Sequence, residues 1–314
     1  LREQFEAFNS GASPAQTADA WFASPSAGDG LQGSAFMPEE TEPWHEPVGG
    51  EVLDEVSETL RRYVHLSDEG VNAAALWTAY THAFDSFGVS PILLLSSATK
   101  RCGKTSLLLP ISRLAARSLL TSNISPAALF RAIDAWKPTL IIDEADTFAR
   151  ASDDLRGILN AGHTRDTAFT VRVEGDGNEP RAFRTWSPKA LAAIGRLPDT
   201  IEDRSVRITM RRKPTAIRKD DALDSDTLRQ ACHPVRRRIA RWTFDHADDL
   251  ASARPERPNG LSDRAWNNWR PLLAVADVAG GHWPARARAA AIALSGGDPD
   301  DDISTLLLRH LKAV

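Results

Sequence analysis

Apolar side chains along this chain fall into short unbroken runs separated by stretches where they recur every three or four positions. Runs near residues 91–96, 118–123, 138–143, 188–194 and 205–210 predict strands. Periodic stretches near 105–116, 125–135, 153–161 and 199–203 predict helices. An unbroken apolar run leaves no face for solvent, so alternating strands and helices imply an α/β fold: a parallel sheet covered on both sides. Residues 167–186 break this rhythm. They alternate around Gly175-Asp176-Gly177-Asn178 and predict a hairpin. Upstream, Val52, Leu53, Val56, Leu60 and Tyr63 share a helical face, as do Leu76, Trp77, Tyr80 and Phe84 within 73–87. These two helices are expected to cover part of the sheet. After Pro214 the pattern is helical, with breaks near Ala253-Arg254-Pro255 and Gly296-Gly297.

Residues 1–8 could form a short helix. From Asn9 to about Gly50 the chain is rich in Ser, Gly, Ala, Pro, Thr and Glu and reads as a linker with too little apolar surface to order itself. The expected organisation is therefore linker 1–50, helices plus α/β domain 51–213, and a helical lid or C-terminal domain 214–314. The chain starts at Leu1, which reads as a piece of a longer protein. No internal repeat is visible.

Composition narrows the function classes. The 314 residues carry a formal net charge of −4, so contact with nucleic acid would have to come from local basic patches. Two cysteines, Cys102 and Cys232, make neither a disulfide framework nor a metal quartet. With no secretory signal and no apolar run of membrane-spanning length, a cytoplasmic location and no membrane partner are expected.

The candidate chemistry centres on Ala98-Thr99-Lys100-Arg101-Cys102-Gly103-Lys104-Thr105-Ser106, which joins a predicted strand to a predicted helix. Strand, tight loop, Gly-Lys-Thr and helix is the layout of a phosphate-binding P-loop. First-turn amides have no partner within a helix, and the helix dipole adds positive charge there. Lys104 would reach the β- and γ-phosphates of ATP and Thr105 would ligate Mg²⁺. Ala98 stands where that pattern has its first glycine. Downstream, the run 139–142 ends in Asp143-Glu144-Ala145-Asp146. Asp143 would hold Mg²⁺, and Glu144 would orient or deprotonate the attacking water. Asp-Glu-Ala-Asp also occurs in a group of RNA helicases, but those need a second α/β domain with its own arginine motif, and nothing after Arg212 reads as one.

Arg204 closes a short helix before a strand. It could project towards a neighbouring subunit's γ-phosphate, or pair on the surface with Asp203 or Glu202. Arg165, Arg172, Arg181 and Arg184 on the hairpin could grip a nucleic-acid backbone or serve as a solvated edge. The basic runs Arg211, Arg212, Lys213, Arg218, Lys219 and Arg236, Arg237, Arg238, Arg241 are more simply solvated faces. His163 is expected to pack at a helix end. Cys102, near a helix N-terminus, would favour its thiolate, or be an inert small residue. Arg264 in a first helical turn opposes the dipole, a mild local conflict of the kind that marks functional positions.

These segments together resemble an AAA+ ATPase and, more narrowly, a domain family of phage, plasmid and integrated-element ATPases that accompanies replication modules. Residues 42–48, 75–77, 102–105, 140–146, 159–163, 197–204 and 263–273 carry the resemblance. It implies Lys104 and Thr105 at ATP and Mg²⁺, Asp143 and Glu144 as the acidic pair, and Arg204 as a finger within a ring, of six copies in the common form. It also implies Arg264 as a nucleotide sensor in the lid. The function it implies is a DNA helicase or DNA-remodelling motor. Residues 192–195 lack the polar sensor such proteins carry, and Arg196 is the nearest substitute. That departure keeps open a slow nucleotide switch that binds protein partners; a phosphotransferase fits the lid and Arg204 poorly.

Overall fold

The computed structural model describes residues 37–149, 152–174, 178–213 and 224–296. In chain order its strands are β1 (Ile92–Ser97), β2 (Ser118–Thr121), β3 (Thr139–Ile142), β4 (Phe169–Glu174), β5 (Glu179–Arg184), β6 (Lys189–Ile194) and β7 (Ser205–Thr209). Five of them form one sheet in the order β2-β3-β6-β1-β7, every pair parallel. β4 and β5 form a separate antiparallel ribbon, the predicted hairpin. Most of its turn, residues 175–177, lies outside the described residues. β2 stops short of the predicted 123 because Thr121 Oγ1 donates to the Asn123 carbonyl at 2.8 Å and accepts from its amide at 3.2 Å, turning the chain.

The helices are α1 (Val52–Tyr63), α2 (Asp68–Ala83), α3 (Lys104–Leu114), α4 (Pro126–Trp136), α5 (Asp146–Ala149), α6 (Asp153–Ala161), α7 (Asp199–Glu202), α8 (Ser225–Asp245), α9 (Ala247–Ser252), α10 (Asp263–Ala279) and α11 (Trp283–Ser295). Side-chain caps fix several starts. Ser67, Ser125, Ser152, Asp224 and Ser262 each accept from an amide three residues on.

Side chains alternate across each strand, and that alternation builds two cores. Ile92 and Leu94 of β1 face one side with Leu140, Ile142, Leu191 and Ala193, closed by Leu129 and Ile133 of α4 and Leu155 and Ile158 of α6. Leu93 and Leu95 face the other with Ile141, Ala190, Ala192, Val206 and Ile208. That second core is closed by α1, α2 and α3 and also by α8, α10 and α11, through Trp242, Trp269 and Trp283. The upstream helices thus cover one face of the sheet, as predicted. The C-terminal helices share their core rather than building one of their own. Their connection to β7, residues 214–223, is outside the described residues and includes Arg218 and Lys219.

The expected linker ends earlier than residue 50. The Trp44 amide donates to the Arg237 carbonyl at 2.9 Å, and the Arg237 guanidinium lies 5.4 Å from the Trp44 ring centroid. Trp44 and Val48 supply apolar anchors that average composition hides. Residues 1–36 are outside the described part. Among the described residues no helix is long and apolar enough to cross a membrane.

Candidate functional site

β1 ends at Ser97, and residues 98–103 return the chain into α3. The turn needs left-handed backbone at Arg101, φ 64°, and at Gly103, φ 83°. A Cβ on Gly103 would meet only Met210 Cε at 3.7 Å, so the glycine is needed for its conformation rather than for space. Ala98, Thr99, Lys100 and Arg101 are exposed. Cys102 is buried, its Sγ donating to the Thr99 carbonyl at 3.3 Å. Lys104 Nζ donates to Ser97 Oγ at 2.7 Å, and Ser97 Oγ donates in turn to the Thr99 carbonyl at 2.7 Å. Gly103, the N-cap of α3, supplies no side-chain cap to the first-turn amides, which include that of Ser106.

Across the sheet edge, Thr105 Oγ1 donates to Asp143 Oδ2 at 2.6 Å. β1 and β3 are not neighbours, since β6 lies between them. Backbone bonds close this edge. The Asp143 amide reaches the Thr121 carbonyl at 3.0 Å, Ala145 reaches Ala192 at 2.8 Å, and Gly195 reaches Ser97 at 2.8 Å. Asp146 Oδ1 accepts from the Ile194 amide at 2.9 Å. Asp143 Oδ1 accepts from the Glu144 amide at 2.9 Å. Glu144 sits at φ 55°, a strained value for a residue with a side chain, and that side chain is exposed.

This arrangement fits a nucleotide and a magnesium ion. A hydroxyl and a carboxylate oxygen already touch, and both are hard donors of the kind Mg²⁺ takes together with phosphate oxygens and water. Among the described residues no cluster of three or more His, Cys, Asp and Glu side chains could hold a metal unaided. The Lys104 ammonium and the uncapped amides of α3 face the same strand ends.

Arg204 and Arg264 lie elsewhere. The Ile92 amide donates to the Arg204 carbonyl at 3.0 Å, so Arg204 sits where β1 begins, while Lys104 sits where β1 ends. Six residues of strand separate the two positions by about 17 Å. Arg264 pairs with Asp203 and lines a cleft of about 320 Å³ with His163, Thr200, Arg204, Asn267 and Asn268. The structure therefore puts Arg264 beside Arg204, not beside Lys104. Arg196 directly follows Gly195, whose amide bonds the Ser97 carbonyl at 2.8 Å, and its side chain pairs with Glu202 at 3.3 Å.

Buried groups that sequence patterns did not single out hold this cleft. Asn268 Nδ2 donates to the carbonyls of Asp203 at 3.0 Å and Ser205 at 3.3 Å. Asn268 Oδ1 meets His163 Nε2 at 2.8 Å. Burial lowers the His163 pKa, opposed by the bond to Asn268. Behind His163, the Lys189 ammonium donates to the carbonyls of Gly162, Thr185 and Ser187 at 3.2, 3.2 and 2.8 Å. Burial pushes its pKa down to about 7. A Cβ on Gly162 would stand 2.1 Å from the Thr185 carbonyl oxygen, so only glycine fits there. In the sequence, Lys189 looks like an ordinary charge before an apolar run and Asn268 like a polar helix position.

Of the hairpin arginines, Arg165 pairs with Asp85 at 3.4 Å and Arg172 with Asp154 at 2.9 Å. Arg172 also lies over Phe130, 5.6 Å from its ring centroid. Arg181 pairs with Glu179 at 3.5 Å, on the surface. The Arg184 side chain is exposed. In the α8 run, Arg237, Arg238 and Arg241 pair with Glu42, Glu55 and Asp245.

Residues 209–314, which include α8 to α11, Arg264 and Asn268 but not Lys104 or Asp143, match the family model described as "Protein of unknown function (DUF3631)". A 75-residue stretch is 45% identical to the "Uncharacterized 28.9 kDa protein in xis 5'region" of Saccharopolyspora erythraea. That stretch covers 24% of this chain and 28% of the relative. The family-model match thus ties the helical C-terminal part, with Arg264, Asn267 and Asn268 of the cleft, to the DUF3631 family model.

Proposed function

We propose that this chain is an AAA+-like P-loop ATPase that binds Mg-ATP at the Lys104–Asp143 edge and hydrolyses it. The Thr105–Asp143 hydrogen bond carries this reading. Two sequence motifs, each weak alone, meet atom to atom across an intervening strand.

Lys104 would exchange Ser97 for β- and γ-phosphate oxygens. The first-turn amides of α3 would hold the same phosphates against the helix dipole. Thr105 and Asp143 would hold Mg²⁺, which when bound neutralises charge on the terminal phosphates. Glu144 would take the proton of the attacking water. Arg204 cannot serve its own chain's site from the far end of β1, so it would serve a neighbouring copy in a ring. The test is Glu144→Gln. Turnover should fall at least about 100-fold, the scale of general-base catalysis, with Mg-ATP binding retained. Undiminished turnover would remove the site from consideration.

DNA as the polymer worked upon is the first choice, carried on the hairpin by Arg181 and Arg184. The relative's printed name, in a xis 5' region, supports keeping the mobile-element setting with it. One observation favours the alternative, a slow switch that binds protein partners. Phe169, Val171 and Val173 share one face of β4 and are 52, 52 and 60% exposed, an outward surface better suited to a protein than to a phosphate backbone. Single-turnover hydrolysis with and without single-stranded DNA separates the two: stimulation supports the motor, and indifference supports the switch.

A further inference from the structure

We propose that Lys100, Arg101, Arg211, Arg212 and Lys213 form one cationic rim that holds the phosphate backbone of a nucleic acid without regard to base sequence. The rim is a surface separate from the hairpin arginines. It stands without the ATPase reading, because it concerns charge beside the loop and not hydrolysis.

Strand register brings the two runs together. β1 and β7 are parallel neighbours with Ser96 opposite Thr209, about 4.8 Å from strand to strand. The Met210 amide donates to the Ser96 carbonyl at 2.7 Å, so the pairing continues one residue past β7. Met210 is buried, and its Cε lies 3.7 Å from where a Gly103 Cβ would stand. The 98–103 loop and residues 211–213 therefore leave the sheet side by side at one end. All five cations are exposed. None of their side chains has an ion-pair or hydrogen-bond partner among the described residues. By contrast, Arg61, Arg165, Arg172, Arg257 and Arg288 each meet a carboxylate. Like charges on adjacent segments repel, and an anionic partner relieves that repulsion. The carboxylates at this end, Asp143, Glu144 and Asp146, follow β3, three strand spacings or about 14 Å from β7 across β6 and β1. They leave the β7 side positive. The whole chain carries a net charge of −4, so attraction of a polyanion has to be local. Residues 98–103 and 209–213 include no aromatic side chain for a base to stack on. Guanidinium forks and ammonium groups hold phosphate whatever base it carries.

Fluorescence anisotropy with labelled oligothymidine and a mixed-sequence single strand of equal length, without nucleotide or Mg²⁺, tests this. The natural chain should bind both equally, and more weakly as salt rises. Arg211→Gln/Arg212→Gln/Lys213→Gln should bind at least about tenfold more weakly at low salt and lose roughly 2 from the slope of log affinity against log salt, at about 0.7 per phosphate contact. Lys100→Gln/Arg101→Gln should lose roughly 1.4 from that slope. Arg62→Gln/Arg270→Gln removes two exposed charges elsewhere and should change neither quantity. Circular dichroism should show every variant folded. Absence of binding by the natural chain, a marked base preference, an equal loss in Arg62→Gln/Arg270→Gln, or polyglutamate competing as well as the oligonucleotide overturns the proposal. So does a triple variant that loses Mg-ATP affinity while keeping the single strand, since the rim would then serve the nucleotide. The ATPase reading falls separately, if Lys104→Ala binds Mg-ATP as the natural chain does.

Discussion

Thr105 Oγ1 and Asp143 Oδ2 lie 2.6 Å apart, although the residues are 38 positions apart in sequence and their strands do not touch. The contact spans β6, whose residues Ala192 and Ile194 bond to Ala145 and Asp146 on one side, while Gly195 bonds to Ser97 on the other. The backbone, not the side chains alone, therefore fixes this separation.

Removing the hydroxyl tests that contact. Thr105→Val keeps a β-branched side chain of similar size in an exposed first turn. Loss of one hydrogen bond to a charged group is worth about 1.5–3 kcal/mol, so Mg²⁺-dependent ATP affinity should fall roughly 10–150-fold with the fold intact. Titration at fixed Mg²⁺, with circular dichroism as control, reads both quantities. An unchanged affinity would dissociate Thr105 from the metal.

Glu144 pays for its position in backbone strain. A non-glycine residue at φ 55° costs about 1–2 kcal/mol, against about 0.5–1 kcal/mol lost on ordinary replacement by glycine. Glu144→Gly should therefore melt no lower than the natural chain, and up to about 1 kcal/mol more stably, while losing turnover. A clear drop in melting temperature would contradict the strain.

Asn268 should matter to stability and activity alike. Asn268→Leu strips two backbone carbonyls and His163 of their partner. Each buried group left unsatisfied costs about 1–3 kcal/mol. Urea denaturation should show that loss, and hydrolysis should fall with ATP binding kept, because the Arg204 backbone is released. Equal stability would mean that water replaces the amide.

Acid should destabilise the fold through two half-buried histidines. His82 Nε2 bonds to the Leu114 carbonyl at 2.8 Å, and burial pushes its pKa from 6.5 to about 4; burial lowers that of His163 too. The unfolded chain takes up protons first as pH falls. The His82 contribution is therefore full above about pH 6.5 and lost towards pH 4, a difference of about 3 kcal/mol. Urea midpoints at pH 7.5 and 5 should fall in that order, and His82→Gln should flatten the slope. An equal slope in the variant would clear His82.

The centre of the sheet was legible because β1, β3 and β6 are buried on both faces and read as nearly unbroken apolar runs, so Leu93 and Leu94 serve opposite cores without any polar gap between them. Lys104, Thr105, Asp143 and Glu144 were legible because they follow predicted strand ends in the residue types that the proposed chemistry calls for. Long-range partners were not. Asn268 as the brace of Arg204 reaches carbonyls 65 and 63 residues away, Lys189 clamps the Gly162 carbonyl 27 residues away, and Arg207 reaches Ser96 across 111 residues. The resemblance implies Arg264 as a nucleotide sensor in the lid, whereas the structure sets it beside Asp203 and Arg204, because first-turn position says nothing of which sheet edge a helix faces.

Calorimetric titration with Mg-ATP of the natural chain and of Lys104→Ala tests the central claim most directly. Saturable heat that disappears in the variant, with its fold unchanged, is the predicted result. Absent heat in the natural chain, or equal heat in both, would contradict it.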